Sequence, residues 1–234
     1  MTALSANRQT PILDLDRVWR TFGLAADAVI YAGALVARNA SGNLVPASAS
    51  TTISIVGVAK SAANNTGGSA GALEVEVDTC IAKFAKSGTI NAGSEGLQLY
   101  AADDQTVSLT NGGTAQVTDA TLTFNGTDEV GLVIDGILVA VNCVTDAAAT
   151  IDAWLVKAAL YPYLTDNFTF TDGTTKITVA KKTGGSFSIE DHSPATATFA
   201  LSTVTPGTAP TRPKAGKVHR VESDGVWADL RSHT

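Results

Sequence analysis

The residues that most chemistry depends on are scarce in this sequence. It has two cysteines, three histidines and one methionine in 234 residues. Cys80 and Cys143 cannot make a disulfide framework. Both lie in apolar runs, which suits small buried hydrophobes. His192, His219 and His233 offer no pair at helix or finger spacing, so no metal site is expected. Charge is scarce as well, at 16% of residues against an average of about a quarter. With 44% hydrophobic residues the chain is not the charge-rich, apolar-poor kind that stays disordered. Its net charge of −6 argues against a general nucleic-acid coat, which needs a basic face. No apolar run reaches the length of a membrane span, so no membrane partner is expected. The opening "MTALSANRQTPILDLD" has no apolar core of a secretion signal, which points to a reducing cytoplasm. Aromatics are only 6%, so the core must be built from Val, Ile, Leu and Ala.

What is present is β pattern. Residues 28–142 alternate apolar and polar positions, with turn signals every 8–12 residues, the spacing of a sandwich or small barrel. "YAGALVARNASGNLVPAS" (31–48) reads as a hairpin turning at Asn39–Gly42. In "ALEVEVD", Leu73, Val75 and Val77 point one way, and Glu74, Glu76 and Asp78 form an acidic row on a wet face. Asn125-Gly126 and Asp135-Gly136 are hairpin signals dividing three short strands.

The two ends differ from this core. Residues 1–27 mix polar residues with isolated large apolar ones and read as an extended arm, with room for one short helix over Asp14–Thr21. Residues 143–234 read as a β-rich appendage. Its one helix, about 150–161, carries an apolar stripe at Ile151, Trp154, Leu155, Ala158 and Ala159, capped by Thr150 and ended near Pro162. Hairpins follow around Asp172-Gly173 and Asp224-Gly225, separated by a Pro-rich linker at about 205–215. Both termini are mildly basic and the middle carries the acidic excess, which suits ends that dock on an acidic surface.

No catalytic constellation emerges. Gly67-Gly68-Ser69-Ala70-Gly71 matches G-x-S-x-G, but a strand follows it where a nucleophile elbow needs a helix. His192 lies beside Glu190 and Asp191 in what reads as a solvated turn before Pro194. Asp103-Asp104 and Asp128-Glu129 are adjacent pairs at turns, and strand neighbours do not share a site. There is no phosphate-cradling Gly loop. The chain is therefore expected to be no enzyme and to need no cofactor.

Residues 30–141 resemble the capsid cement, or head decoration, proteins of tailed bacteriophages. The resemblance rests on "IYAGALVARNASGNLVPAS" (30–48), "IVGVAKS" (55–61), "GALEVEVDTCIAKFAKSGTINAGSEGLQLYAADDQTVSL" (71–109) and "VGLVIDGILVAV" (130–141). Gly33, Val36, Gly42, Pro46, Gly57, Gly71, Gly96, Tyr100 and Gly131 fill the recurring places. It covers about half the chain, and residues 143–234 depart from it. It implies a mainly β fold: a small β-clip or barrel-like core, an N-terminal arm, and here a β-rich C-terminal module with one short helix. It also implies a structural protein on the capsid exterior of a virion assembled in the host cytoplasm. The implied partners are the major capsid protein and the chain itself, as a homotrimer or dimer. The contact candidates are Arg8, Ile12, Leu13, Arg17, Val18, Trp19, Arg20 and Phe22 on the arm, with Asn39 and Asn43 at the hairpin turn. A head fibre, tail-tube or adhesin component is the alternative. On this reading a chain ending near Asn142 folds alone.

Overall fold

The computed structural model describes residues 3–231, except for the side chains of residues 14–17. The first part of the chain forms β1 (Ile12–Gly23), β2 (Val29–Ile30), β3 (Leu35–Arg38), β4 (Leu44–Pro46), β5 (Ser54–Ala59), β6 (Ala63–Asn64), β7 (Glu74–Ser87), β8 (Gln98–Ala101) and β9 (Thr106–Ser108). The middle forms β10 (Val117–Thr123), β11 (Glu129–Ile134), β12 (Ile137–Asn142), α1 (Ala147–Ala158), α2 (Pro162–Asn167), β13 (Phe168–Asp172), β14 (Lys176–Lys181), β15 (Ile189–Asp191) and β16 (Thr198–Thr205). The last part forms β17 (Lys214–Glu222) and β18 (Gly225–Asp229). The protein is mainly β, as its alternation predicts, and these elements make two compact units. Unit 1 is the chain up to Gly112 together with the chain from Thr211 onward; unit 2 is Gly113–Pro210.

β7 organises unit 1. Its 14 residues are long enough to take two partners along each edge. One edge pairs with β5 at Asp78 and then with β18 from Ile81 to Phe84. The other pairs with β1 and then, in parallel, with β9 from Ala85. β9 pairs with β8, β8 with β17, and β17 with β18. β18 returns to β7, so five strands close into a barrel. Closure removes the edges that an open sheet would expose. Phe84, Leu99, Val107, Val218 and Val226 fill the interior, and the small Ala82, Ala101 and Ala228 let the strands approach. Burying Phe84 alone is worth roughly 1.5–3 kcal/mol. The sheet continues from β5 through β3 to β4, over a second cluster built on Leu24, Ile30, Val36, Leu44, Val75 and Val77.

Unit 2 holds two sheets, ordered β13-β14-β10-β16 and β12-β11-β15. Val130, Leu132 and Ile134 of β11 share one core with Ile177 and Val179 of β14 and Phe199 of β16. Trp154 of α1 is fully buried there, and its indole Nε1 donates to the Val139 carbonyl at 2.8 Å. That bond satisfies the polar atom a buried Trp otherwise strands. Asp146, not Thr150, caps α1, accepting from the Ala149 amide at 2.8 Å. Thr150 is buried one turn in and donates back to the Asp146 carbonyl. Pro162 opens α2 at its first turn, where the missing amide costs nothing.

Several sequence expectations change. The division at 142/143 separates strands that fold together: β10–β12 belong with α1 and β13–β16, while β17 and β18 complete the barrel of unit 1. Alternation marks a strand but does not name its partner. Residues 12–23 are a strand on β7 rather than a helix, because β7 leaves an edge open to Ile, Val, Trp and Phe, which favour strands. Leu24, placed in the arm, is wholly buried core. Asn125-Gly126 is not a hairpin turn, since β10 and β11 lie in different sheets. Asp135-Gly136 is one: it joins Ile134 to Ile137 with both residues at positive φ, 46° and 82°. Asp78 is buried rather than wet, because at that point β7 has paired strands on both edges.

Candidate docking surface

The N-terminal segment is fastened to unit 1 before β1 begins. The Leu4 amide donates to Asp104 Oδ1 at 2.8 Å, and the Ala32 amide donates to Asn7 Oδ1 at 3.1 Å. The Arg8 amide donates to the Ala32 carbonyl and the Lys83 amide to the Pro11 carbonyl. Thr10 Oγ1 donates to the Gly33 carbonyl. This crossing explains Gly33. Its φ is +81°, and a Cβ there would lie 2.0 Å from the Arg8 carbonyl oxygen. Arg8 itself turns inward: its guanidinium carbon stands 5.5 Å from the Phe84 ring centroid. Burial lowers its pKa, opposed by the charges of Asp104 and Asp103. Burial likewise raises the Asp104 carboxyl, against the pull of the Leu4 amide. Both aspartates, expected at a turn, are buried. Ile12 packs on the barrel core, and Leu13 is half-buried opposite Ile81. Arg8, Ile12 and Leu13 therefore anchor the segment.

Beyond Leu13 the register of β1 shifts, and its outward face changes character. Val18 is 47% exposed and Trp19 56%. Lys60 Nζ sits 3.7 Å from the Trp19 centroid while also meeting Glu76 at 2.8 Å. Val18, Arg20 and Phe22 oppose Thr79, Val77 and Val75, so the three share one face. That face holds a groove of about 400 Å³ lined by Val18, Arg20, Phe22, Ile55, Val56, Thr79 and Arg231. Two arginines and no carboxylate line it. Asp229 holds the Arg231 guanidinium at 2.9 and 3.0 Å, whereas Arg20 is exposed. A second groove of about 370 Å³ runs from Val56 and Ser54 to Arg38 and the Asn39–Gly42 turn. The two share Val56, so the hairpin turn and β1 lie on one continuous face. Arg38 bridges them, 5.5 Å from the Phe22 ring centroid.

The structure thus brings Val18, Arg20, Phe22 and Asn39 together and places Trp19 on the opposite face of the same strand. Asn39 is committed to its turn, its Oδ1 accepting from the Ser41 and Asn43 amides at 3.1 and 3.0 Å. Asn43 closes the turn by its backbone, whose carbonyl accepts from the Asn39 amide. The Arg17 side chain lies outside the described residues. Lys60, Arg38, Val56 and Arg231 were not singled out from sequence. Their place depends on which strands pair, which local sequence does not state. Among the described residues β1 pairs only with β7, so its outer edge presents backbone groups to any strand that meets it.

The remaining motifs stay apart from this face. Gly67–Gly71 is a loop running directly into β7, with the Ser69 carbonyl accepting from Asn65 Nδ2. His192 is exposed. Among the described residues no three His, Cys, Asp or Glu side chains are grouped as a metal site.

No family model matches the chain, and no curated protein matches it significantly. Among solved structures, a chain from Mycobacterium phage Patience aligns over 94% of this chain and 99% of its own, at 14% identity and a TM-score of 0.27. A likeness at that TM-score does not define a common fold.

Proposed function

We propose that the chain is a non-enzymatic structural protein that binds the outer surface of a tailed-phage capsid and braces neighbouring major capsid subunits. What supports this reading is the outward side of β1: an edge with no strand partner among the described residues, flanked by exposed Val18, Trp19 and Arg20. Strand addition supplies backbone hydrogen bonds, and side-chain pockets alternate along it. Completing the burial of Val18 and Trp19 adds on the order of 1 kcal/mol each. Because the N-terminal segment is already fastened to unit 1, docking does not have to offset its ordering entropy of about 1–2 kcal/mol per residue. Self-association on the capsid exterior, as a homotrimer or a dimer, with no cofactor, nucleic acid or membrane partner, completes the proposal.

The test is co-sedimentation of the purified chain with capsids assembled without it. The native chain is expected to bind and to raise the temperature at which the shells lose their DNA. The double variant Val18→Asp with Arg20→Glu should stay folded and bind at least about tenfold more weakly, a change of roughly 1.4 kcal/mol. Shells equally heat-stable with and without the native chain overturn the reading. Binding to host cells in place of shells moves the chain to the adhesin class.

A further inference from the structure

A different edge, in unit 2, carries its own implication. β16 closes one side of the sheet β13-β14-β10-β16, and among the described residues no strand pairs with its outer edge. Ala200 through Val204 are all exposed, with Leu201 at 37% and Val204 at 60%. Proteins usually guard such an edge with a charge, a proline or a bulge. Here one guard stands at its start, where Asp191 Oδ1 accepts from the Phe199 amide at 3.2 Å, and two stand at its end. Val204 is the bulged residue, between the pairs Val117↔Thr205 and Thr118↔Thr203, and Pro206 follows the strand. From Ser193 to Thr211 there is no charged residue.

The rest of unit 2 is strongly acidic. Gly113–Pro210 contains ten Asp and Glu against four Lys, a net charge of −6. A basic partner is drawn to those carboxylates and finds only Asp191 at the start of β16, already engaged by the Phe199 amide and the Ser193 hydroxyl. An acidic partner is repelled by the unit as a whole. A second copy brings the same uncharged edge, and an antiparallel strand pair about a two-fold axis is self-complementary. We propose that β16 pairs with β16 of a second copy, joining two four-stranded sheets into one of eight.

The register follows from the pleat. Phe199, Leu201 and Thr203 oppose Leu122, Ala120 and Thr118 and so face the core side of the sheet. A two-fold axis perpendicular to the sheet keeps the two core sides together only if residues of like parity pair. Centring on Leu201 sets the two Leu201 side chains opposite each other and Phe199 opposite Thr203 of the copy; because Asp191 holds the Phe199 amide, the new backbone hydrogen bonds run through the Leu201 pair and the Thr203 amide. The half-exposed leucine then gains an apolar neighbour, and no charge meets a like charge.

Sedimentation of the full chain should reveal a concentration-dependent association that strengthens as NaCl rises from about 0.05 M to about 0.5 M, because screening relieves repulsion between two −6 units. Leu201→Glu should weaken it at least about tenfold by placing two carboxylates face to face. Under mild oxidation Leu201→Cys should form an intermolecular disulfide, and Val156→Cys, more exposed at 69%, should not. The native Cys80 and Cys143 are buried and do not compete. Association that weakens with salt, an unaffected Leu201→Glu chain, or equal cross-linking at positions 156 and 201 overturns the proposal. Shell binding through β1 is read separately: Leu201→Glu should leave it intact, so either proposal can fail without the other.

Discussion

The two units reach a β-rich core by opposite routes. Unit 2 is one continuous stretch, and its strands find partners within a hundred residues of chain. Unit 1 is interrupted: its barrel closes only when β17 and β18 pair with β8 and β7, more than a hundred positions earlier. Their charges differ as well. Unit 1 carries twelve acidic and twelve basic residues and is neutral, so the whole chain's charge of −6 sits on unit 2. In the neutral unit Arg20, Arg38 and Arg231 line the grooves beside β1, Arg231 being paired with Asp229. The acidic unit leaves one edge without charge. Among the described residues each unit has a strand edge without a strand partner, beside arginine-lined grooves in unit 1 and uncharged from Ala200 to Val204 in unit 2. That contrast is the basis for assigning the two edges different partners.

The largest effect should come from cutting the chain where that contrast lies. A chain ending at Asn142 loses β17 and β18 from the barrel and splits unit 2 after β12, so neither unit can complete its core; it should give no cooperative unfolding transition by circular dichroism. Deleting Gly113–Pro210 and joining Gly112 to Thr211 should instead leave unit 1 folded. The Asn111 carbonyl already accepts from both the Thr211 and Arg212 amides, at 2.9 and 3.0 Å, so the two ends of unit 1 are adjacent. A folded 1–142 chain, or an unfolded chain lacking 113–210, breaks the two-unit description.

Much of this was legible locally and little of it globally. The hairpin turns at Asn39–Gly42 and Asp135-Gly136 are where the turn residues put them, because turn chemistry is set by a few adjacent dihedrals; the other two fall one or two residues away, at Thr174-Thr175 and Ser223-Asp224, with Thr174 rather than Gly173 at positive φ. The stripe that marked a helix does so: Ile151, Trp154 and Ala158 are buried, while Ala159 lies past the last turn and is exposed. The barrel was not legible, because nothing in "KVHRVESDGVWADL" says that it pairs with "GLQLY" across an inserted unit. The exposed face of β1 was half legible. Exposed Val18, Trp19 and Arg20 came from composition, but the arm's fastening, with Arg8 turned onto Phe84, depends on contacts that local pattern does not encode.

Single substitutions should then separate the units. Trp154→Ala removes a fully buried indole and its hydrogen bond to Val139 and should cost unit 2 about 3–5 kcal/mol. Hydrogen exchange should rise across β11–β14 and stay unchanged across β7 and β18; a rise in both sets would show that the units unfold together. Gly33→Ala should act more gently, at roughly 1–3 kcal/mol, since it forces strain at φ +81° or lifts Arg8 off the backbone. Faster exchange at the Arg8 and Lys83 amides, with the barrel amides unchanged, is the expected pattern.

Acid should act on the two units with opposite sign through two aspartates. Asp104 in unit 1 has its carboxyl raised, chiefly by burial, so the folded state holds that proton more tightly than the unfolded chain does. Its contribution is fully favourable in acid below the unfolded value and is lost as pH rises through the raised one. Asp104→Asn keeps an oxygen for the Leu4 amide and removes the buried charge, so it should stabilise unit 1 at neutral pH and lose that advantage in acid. Asp128 in unit 2 is the reverse. Its carboxylate accepts from Thr196 Oγ1 at 2.8 Å and from the Thr196 and Ala197 amides at 3.2 Å, which holds its pKa below the usual carboxylate range. Its contribution is present above the unfolded value and is lost as pH falls through the lowered one. Asp128→Asn should therefore destabilise unit 2 at neutral pH and matter least in acid. Melting curves of both variants from neutral to acidic pH should slope in opposite directions relative to the native chain; parallel slopes would remove the electrostatic half of the contrast between the units.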